Sequence, residues 1–332
     1  MTSSELKEVF LRLVRLGLNL PENTEVPQLS VEEWEQLKAL ADEQGLSAIV
    51  VDGMNVIGTN LSALPKQFRL EWIGQVLQQE QMNAVQQKAA GEMALMFREN
   101  GIRTYVLKGA VIAECYPRPE HRHSVDMDCF VVNENQNDNE NDVWERGNKV
   151  IEAAGFEVKR DFYKNSTFYF PGLTVENHRF LTPFRGNKRL KKLERLLQRL
   201  IDDNDNENRF EGTWLYRPPV MVSALFLIEH AYSHFLHEGL TWRMVLDWVL
   251  FCRKHAYQLM ANELGLSHVL VSLIYMALQL VISLGFIYLC PNTVLAHWIY
   301  LIVAAGVLVV AYVAFMKKYY HLHEEYLAGL KK

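Results

Sequence analysis

The chain contains 332 residues, with 34 Lys and Arg against 39 Asp and Glu, so its net charge is −5. Hydrophobic residues make up 49% and charged residues 22%, which excludes disordered, collagen-like and disulfide-scaffold proteins. The four cysteines lie far apart without a CxxC spacing, as expected for thiols in a reducing compartment and not for a zinc site. The N-terminus has no signal-peptide pattern, and the slightly acidic balance argues against bulk nucleic-acid binding.

The first third of the chain predicts an N-terminal helical lobe, residues 1–100. Apolar residues recur at helical spacing over residues 4–17 and 30–44, and a Ser-x-x-Glu capping box opens the second run. A longer helical stretch, 66–100, ends at Gly101, which can adopt the left-handed conformation of a helix C-terminus.

Residues 101–184 alternate between strand and helix patterns, which predicts an α+β fold with a small mixed-sheet core. A C-terminal helical lobe is predicted over residues 185–263. The predicted strands are 104–107, 126–132, 156–159, 166–170 and 173–180, and the predicted helices of both segments are 109–115, 143–154, 186–200, 219–236 and 241–256.

The last segment, residues 264–332, differs from the rest in charge. From Leu264 to Met316, 53 consecutive residues contain no Asp, Glu, Lys or Arg. Two apolar runs within it, 269–290 and 294–316, each exceed the roughly 20 residues that cross a bilayer, and basic residues flank both ends. This pattern predicts a transmembrane helical hairpin that anchors the protein at the cytoplasmic face of the inner membrane. The alternative is two buried helices of a cytoplasmic protein.

The most informative motif is Asp126-Met127-Asp128 at the start of an apolar strand. Alternate side chains of a strand share a face, so the two carboxylates lie side by side and repel each other unless a cation lies between them. A later strand-like run carries Glu176, with His178 on the same face. A third carboxylate on a neighbouring strand completes a two-metal site. We therefore predict that Asp126, Asp128 and Glu176 are catalytic and hold two ions of Mg²⁺ or Mn²⁺.

The strand-to-helix junction at Lys108-Gly109-Ala110 predicts a nucleotide-binding turn. Glycine lets the backbone approach a phosphate, and the N–H groups of the following helix point toward it. Lys108 adds a point charge, and Arg122, four residues before the first aspartate, adds a forked phosphate contact.

These motifs together resemble the nucleotidyltransferase-like family of uncharacterised bacterial proteins within the DNA polymerase β-type superfamily. The resemblance implies transfer of a nucleoside monophosphate from an NTP, ATP in our prediction, to an unidentified hydroxyl acceptor, with Glu176 also helping to deprotonate that hydroxyl. The matching residues are Leu107, Lys108, Gly109, Tyr116, Pro117, Arg122, Asp126, Asp128, Glu176 and His178, followed by His230, His234, His237 and Asp247 in the helical lobe.

Two positions depart from the wider superfamily. Ala110 stands where the superfamily has a serine that helps hold the terminal phosphates, and Val125 stands where a glycine usually precedes the first aspartate. These departures motivate an alternative hypothesis, a catalytically inactive nucleotide-binding or interaction protein, which the C-terminal hairpin would anchor to a membrane.

Two helical patterns allow more than one interpretation. His230, His234 and His237 share one helix face, which suits either a metal site or, together with His178, polar residues of the acceptor cleft. The run 185–199 carries seven basic residues against one acid. It suits a solvated helix, a contact for an anionic acceptor or a membrane surface, and it implies no sequence-specific nucleic acid.

Overall fold

A computed structural model describes residues 2–58, 64–134, 142–182, 188–202, 208–237 and 239–260. By its contacts, the chain divides into two compact units, Met1–Lys254 and His255–Lys332. The first unit contains nearly all of the described residues, and only residues 255–260 of the second are described. The finer division at residues 100, 184 and 263 stays a prediction.

The N-terminal part of the chain is helical, as predicted. The capping box before the second helix is present, and Gly101 ends the fourth helix with a φ of 69°. The third helix lies within the predicted helical lobe but was not predicted as a separate element, and its run of Ile, Val and Val favours a strand locally. The four helices are α1 (Ser3–Gly17), α2 (Val31–Glu43), α3 (Ser47–Ile57) and α4 (Lys66–Glu99).

Two glycines determine how α1 and α3 pack. A Cβ added to Gly17 would overlap the carbonyl oxygen of Ile49, and a Cβ added to Gly53 would overlap that of Leu13. The two backbones therefore approach each other at a distance that only glycine allows. This contact is the tertiary reason that α3 is a helix in spite of its β-branched residues.

A six-stranded mixed sheet forms the centre of the described structure, which confirms the predicted α+β class. Its strand order is β3-β4-β5-β2-β1-β6. The β2–β5 and β1–β6 pairs are parallel, and the other pairs are antiparallel. The strands are β1 (Ile102–Val106), β2 (Asp126–Asn133), β3 (Val158–Arg160), β4 (Asn165–Phe170), β5 (Leu173–His178) and β6 (Leu215–Tyr216), of which only β6 was not predicted.

Helices cover both faces of the sheet. On one face, Val131 of β2 lies close to α6, and α4 packs behind it. On the other face, Phe130 of β2 packs with Leu197 of α7 and Phe226 of α8 in a buried apolar cluster. The five later helices are α5 (Ala110–Ala113), α6 (Val143–Ala153), α7 (Lys188–Asp202), α8 (Val220–His237) and α9 (Trp242–Met260).

The predicted membrane hairpin, 269–290 and 294–316, lies outside the described residues. Among the helices that the structure describes, none is both long enough and apolar enough to span a bilayer.

Candidate active site

The strand register brings the predicted carboxylates together. In the parallel pair of β2 and β5, Asp126 lies opposite Thr174 and Asp128 lies opposite Glu176. Asp128 and Glu176 therefore occupy neighbouring positions of one sheet face, and Asp126 occupies the same face two residues earlier. The Asp128 side chain is only 1% exposed, whereas that of Asp126 is 35% exposed. The site is thus open to solvent at its Asp126 end.

His178 lies between the buried Asp128 and the partly exposed Glu176. It follows Glu176 by two residues on the same face, and its Nε2 lies 3.0 Å from Asp128 Oδ1 and 3.8 Å from Glu176 Oε2. The donor atoms of these three residues all lie within 4.8 Å of one another. Oxygen and imidazole donors at such separations can bind a divalent cation.

Lys108 contributes a positive charge next to both aspartates, Asp126 and Asp128. Its Nζ lies 2.8 Å from Asp128 Oδ2 and 4.0 Å from Asp126 Oδ1. Burial raises the pKa of Asp128, but the hydrogen bond from His178 and the charge of Lys108 outweigh that effect and hold its pKa well below the ordinary value. Asp128 is therefore ionised at every physiological pH. We call Lys108, Asp126, Asp128, Glu176 and His178 the acidic site.

His230 of α8 holds the other side of Lys108. Its Nε2 accepts a hydrogen bond from Lys108 Nζ at 3.0 Å, and its ring centroid lies 4.5 Å from that of His234. Burial and the charge of Lys108 lower the pKa of His230 to about 3, so the ring is neutral. The side chain of His237 lies outside the described set. The metal interpretation and the cleft interpretation of this helix face therefore both stay predictions.

The turn at Gly109 has the backbone conformation expected of it, but the helix after it is short. Gly109 has a φ of 64°, which strains any L-residue with a side chain. The predicted helix over 109–115 is reduced to the single turn of α5, Ala110–Ala113, because residues 114–118 continue as turns toward Pro119. So short a helix provides little dipole for anion binding. Phosphate binding by Gly109 and Ala110 stays a prediction.

Arg122 lies in a buried network and not on an open surface. Its side chain is 0% exposed, its Nε donates to Asp247 Oδ1 at 2.8 Å, and its Nη2 donates to Asp247 Oδ2 at 2.7 Å. The Tyr116 hydroxyl donates to the same Oδ1 at 2.7 Å. Burial raises the pKa of Asp247, but the charge of Arg122 outweighs it, and the pKa is lowered. We call Arg122, Asp247 and Tyr116 the Arg122 network.

The contacts of this network bear on the roles of Arg122 and Arg243. Asp247 accepts hydrogen bonds from two of the three guanidinium nitrogens of Arg122, and the predicted phosphate contact of Arg122 stays a prediction. Arg243 pairs with Asp247 at 3.9 Å, which is the longer of the carboxylate's two arginine contacts. Arg243 also donates to the carbonyl oxygen of His123 at 3.3 Å. Helix α9 therefore fixes residues 122 and 123, just before β2 begins.

The family comparison agrees with this arrangement. A family model described as uncharacterised nucleotidyltransferase matches residues 30–281, about three quarters of the chain. The chain belongs to this nucleotidyltransferase family. The resemblance stated from the sequence motifs is thereby confirmed. Comparison with curated proteins and with solved structures gives no significant match.

Nucleotidyltransferases usually use divalent metals, and the acidic site fits such ions. Asp126, Asp128 and Glu176 provide three carboxylates, and Lys108 is the cation in direct contact with two of them. Lys164 lies further out, 3.9 Å from Glu176 Oε2, and is half exposed. The net negative charge and the hard oxygen donors suit Mg²⁺ or Mn²⁺.

One site residue was missed by sequence reasoning. Asn165, the first residue of β4, donates from Nδ2 to Glu176 Oε2 at 2.6 Å and is buried. Its register partner is His178, so it lies beside both residues of β5 that face the site. The only signal in the sequence was a polar residue at the start of an apolar strand, and that signal does not identify its partner.

Proposed function

We propose that this nucleotidyltransferase moves a nucleoside monophosphate from ATP to a hydroxyl acceptor, with a divalent metal held by Asp126, Asp128 and Glu176. The observation that carries the proposal is the register of β2 and β5, which brings Glu176 beside Asp128 on the face that also carries Asp126. Two bound ions, Mg²⁺ or Mn²⁺, would neutralise the phosphates and stabilise charge that develops in the transition state.

The reaction exchanges one phosphorus–oxygen bond for another. The acceptor oxygen attacks the α-phosphorus, the bond from that phosphorus to the bridging oxygen of the pyrophosphate breaks, and pyrophosphate leaves. The proton of the acceptor hydroxyl goes to Glu176, which is partly exposed and is oriented by Asn165. Lys108, held by neutral His230, provides a fixed positive charge for a phosphate oxygen.

A label-transfer assay tests this proposal. Wild-type protein is incubated with ATP labelled at the α-phosphate, with Mg²⁺, Mn²⁺ or EDTA, and with RNA, protein and lipid fractions as acceptors. We expect metal-dependent transfer that is lost in the double variant Asp126→Asn plus Asp128→Asn. The matched control is Glu211→Gln, which neutralises an exposed carboxylate outside the site and leaves transfer unchanged. Transfer that persists in the double aspartate variant rejects the proposal.

A second candidate function is nucleotide binding without turnover. It is favoured by the single turn of α5 and by Ala110, which offers no hydroxyl to the terminal phosphates. Calorimetric titration with Mg-ATP separates the two functions. Two results together would establish the second function in place of the first. The wild-type protein would bind Mg-ATP but transfer no label to any fraction, and the Lys108→Ala variant would no longer bind Mg-ATP.

A further inference from the structure

Helix α7 presents a continuous row of cations on its outer face. Lys188, Lys192, Arg195 and Arg199 recur at intervals of four, three and four residues, so they lie on one side of the helix. All four are exposed, and the row is about 16 Å long at a rise of 1.5 Å per residue. We call these four residues the cationic row.

No carboxylate in the described part of the chain forms an ion pair with this row. The Nε atoms of Arg195 and Arg199 donate to carbonyl oxygens of α7 itself, at 3.4 and 3.2 Å. Glu194, the one acid between residues 188 and 200, points inward instead. It accepts hydrogen bonds from the backbone N–H groups of Leu181 and Thr182 at 3.1 and 2.7 Å. Glu194 therefore does not compensate the positive charge of the row.

The opposite face of α7 is already occupied. Leu197 and Ile201 are fully buried and pack with Phe130 and Phe226 in the apolar cluster beneath the helix. A helix that binds a bilayer surface inserts its apolar face among the lipid chains. Because that face of α7 belongs to the protein core, the row can recognise a partner only through charge.

Two cavities that share the lining residue Gln198 are lined by members of the row and by His178 of the acidic site. A cavity of about 590 Å³ is lined by Lys192, Arg195, Gln198 and Arg199. A second cavity of about 560 Å³ is lined by Gln198 as well, together with Phe180, Arg179 and His178. His178 in turn contacts Asp128. A flexible chain can follow such a concave path, whereas a bilayer surface cannot enter it.

We propose that this path binds the acceptor and that the acceptor is a single-stranded polynucleotide whose hydroxyl end points toward the acidic site. Its phosphates contact the cationic row, and its bases lie against Phe180 and Arg179, as bases stack on aromatic and guanidinium groups in other proteins that bind single strands. Binding is independent of sequence, since the row offers charge and no base-specific hydrogen bonds. The role of the polynucleotide as acceptor rests on the proposed function. Its binding to this surface can be measured without any enzymatic turnover.

Binding of a fluorescein-labelled single-stranded RNA of about 12 nucleotides, followed by anisotropy without ATP or metal, tests this surface in the full-length chain. The double variant Arg195→Gln plus Arg199→Gln should bind about tenfold more weakly, and the slope of log affinity against log salt should fall by about 1.4. The matched control, Arg69→Gln plus Lys88→Gln, removes the same charge from the exposed side of α4 and should bind like wild type. Thermal denaturation verifies that both double variants are folded.

Each result of the assay supports or overturns the inference. Equal weakening in the two double variants, or no RNA binding by wild type, overturns it. Arginine-dependent binding to vesicles of acidic lipid, without RNA binding, overturns it in favour of a membrane surface. Arginine-dependent RNA binding without any label transfer supports the surface and rejects the proposed function. Label transfer to another acceptor by a protein that does not bind RNA supports the proposed function and rejects the RNA-binding surface.

Discussion

The acidic site and the Arg122 network both combine carboxylates with a basic side chain, but they differ in charge balance and access to solvent. In the Arg122 network one carboxylate meets one guanidinium through two hydrogen bonds, and both side chains are at most 5% exposed. In the acidic site three carboxylates lie together, the ammonium of Lys108 contacts only two of them, and Asp126 is partly open. A closed, balanced pair stabilises one conformation, whereas an open, unbalanced cluster has free capacity for a cation.

This comparison leads to the interpretation that the two networks have different tasks. The Arg122 network, together with Arg243, holds the segment that leads into β2 and so positions Asp126. In the proposed function, that position allows Asp126 to hold the metal. Three changes test whether the two tasks are separate, and a fourth concerns a third polar cluster.

The largest effect on stability is expected from Asp247→Asn. It leaves the buried guanidinium of Arg122 without its counter-charge, which costs about 3–5 kcal/mol of unfolding free energy, measured by urea denaturation. The control is Glu120→Gln, which removes the same charge from an exposed pair with Arg118 and should change stability by less than about 0.5 kcal/mol. Equal effects of the two substitutions would show that burial does not distinguish these pairs.

Asp126→Asn should produce the opposite pattern. The substitution removes one negative charge from a site with an excess of carboxylates, and the Asp126 side chain is partly exposed. The unfolding free energy should therefore change by less than about 1 kcal/mol. Label transfer should fall at least about 100-fold, because the metal loses a ligand. A large loss of stability with normal transfer would assign Asp126 to the structural network instead.

Tyr116→Phe tests the Arg122 network more gently. Asp247 loses one of its hydrogen bonds but keeps Arg122, so we expect a loss of about 1.5 kcal/mol in urea denaturation. Affinity for the metal, measured by Mn²⁺ titration, should stay unchanged. A weakened metal site in a stable Tyr116→Phe protein would show that the two networks are coupled more directly than their separate contacts indicate.

The smallest effect is expected from a third polar cluster, around His121. Burial lowers its pKa, but the hydrogen bonds to Asp52 of α3 and Glu80 of α4 outweigh that effect, and the pKa of His121 is raised. A raised histidine pKa stabilises the fold fully below the unfolded value of about 6.5, and this contribution is lost as pH rises through the folded pKa.

The difference in unfolding free energy between wild type and His121→Gln should therefore shrink as pH rises above about 6.5. Urea denaturation at a series of pH values measures that difference. A difference that grows toward alkaline pH would mean that neutral His121, and not its charged form, makes the stabilising contacts.

The features of this protein that depend only on residues close together in the sequence could be predicted from the sequence. The helical spacing of α1, α2 and α4, the capping box before α2, and the strand alternation that puts Asp126 and Asp128 on one face are all local properties. The family also followed from local motifs, since its matching residues around Asp126 lie within about 20 positions of one another.

Only the tertiary structure decided which charges meet. Glu176 lies beside Asp128 because β5 pairs in parallel with β2, across 48 residues, and Arg122 is buried because Asp247 of α9 reaches it across 125 residues. Glu194 of α7 likewise accepts a hydrogen bond from the backbone N–H of Thr182, a residue outside its own helix. A sequence period determines the face on which a charge lies, but its partner, burial and pKa depend on contacts between distant segments. Because of those contacts, the acidic strand motif forms part of a candidate active site and the basic helix presents a candidate binding surface.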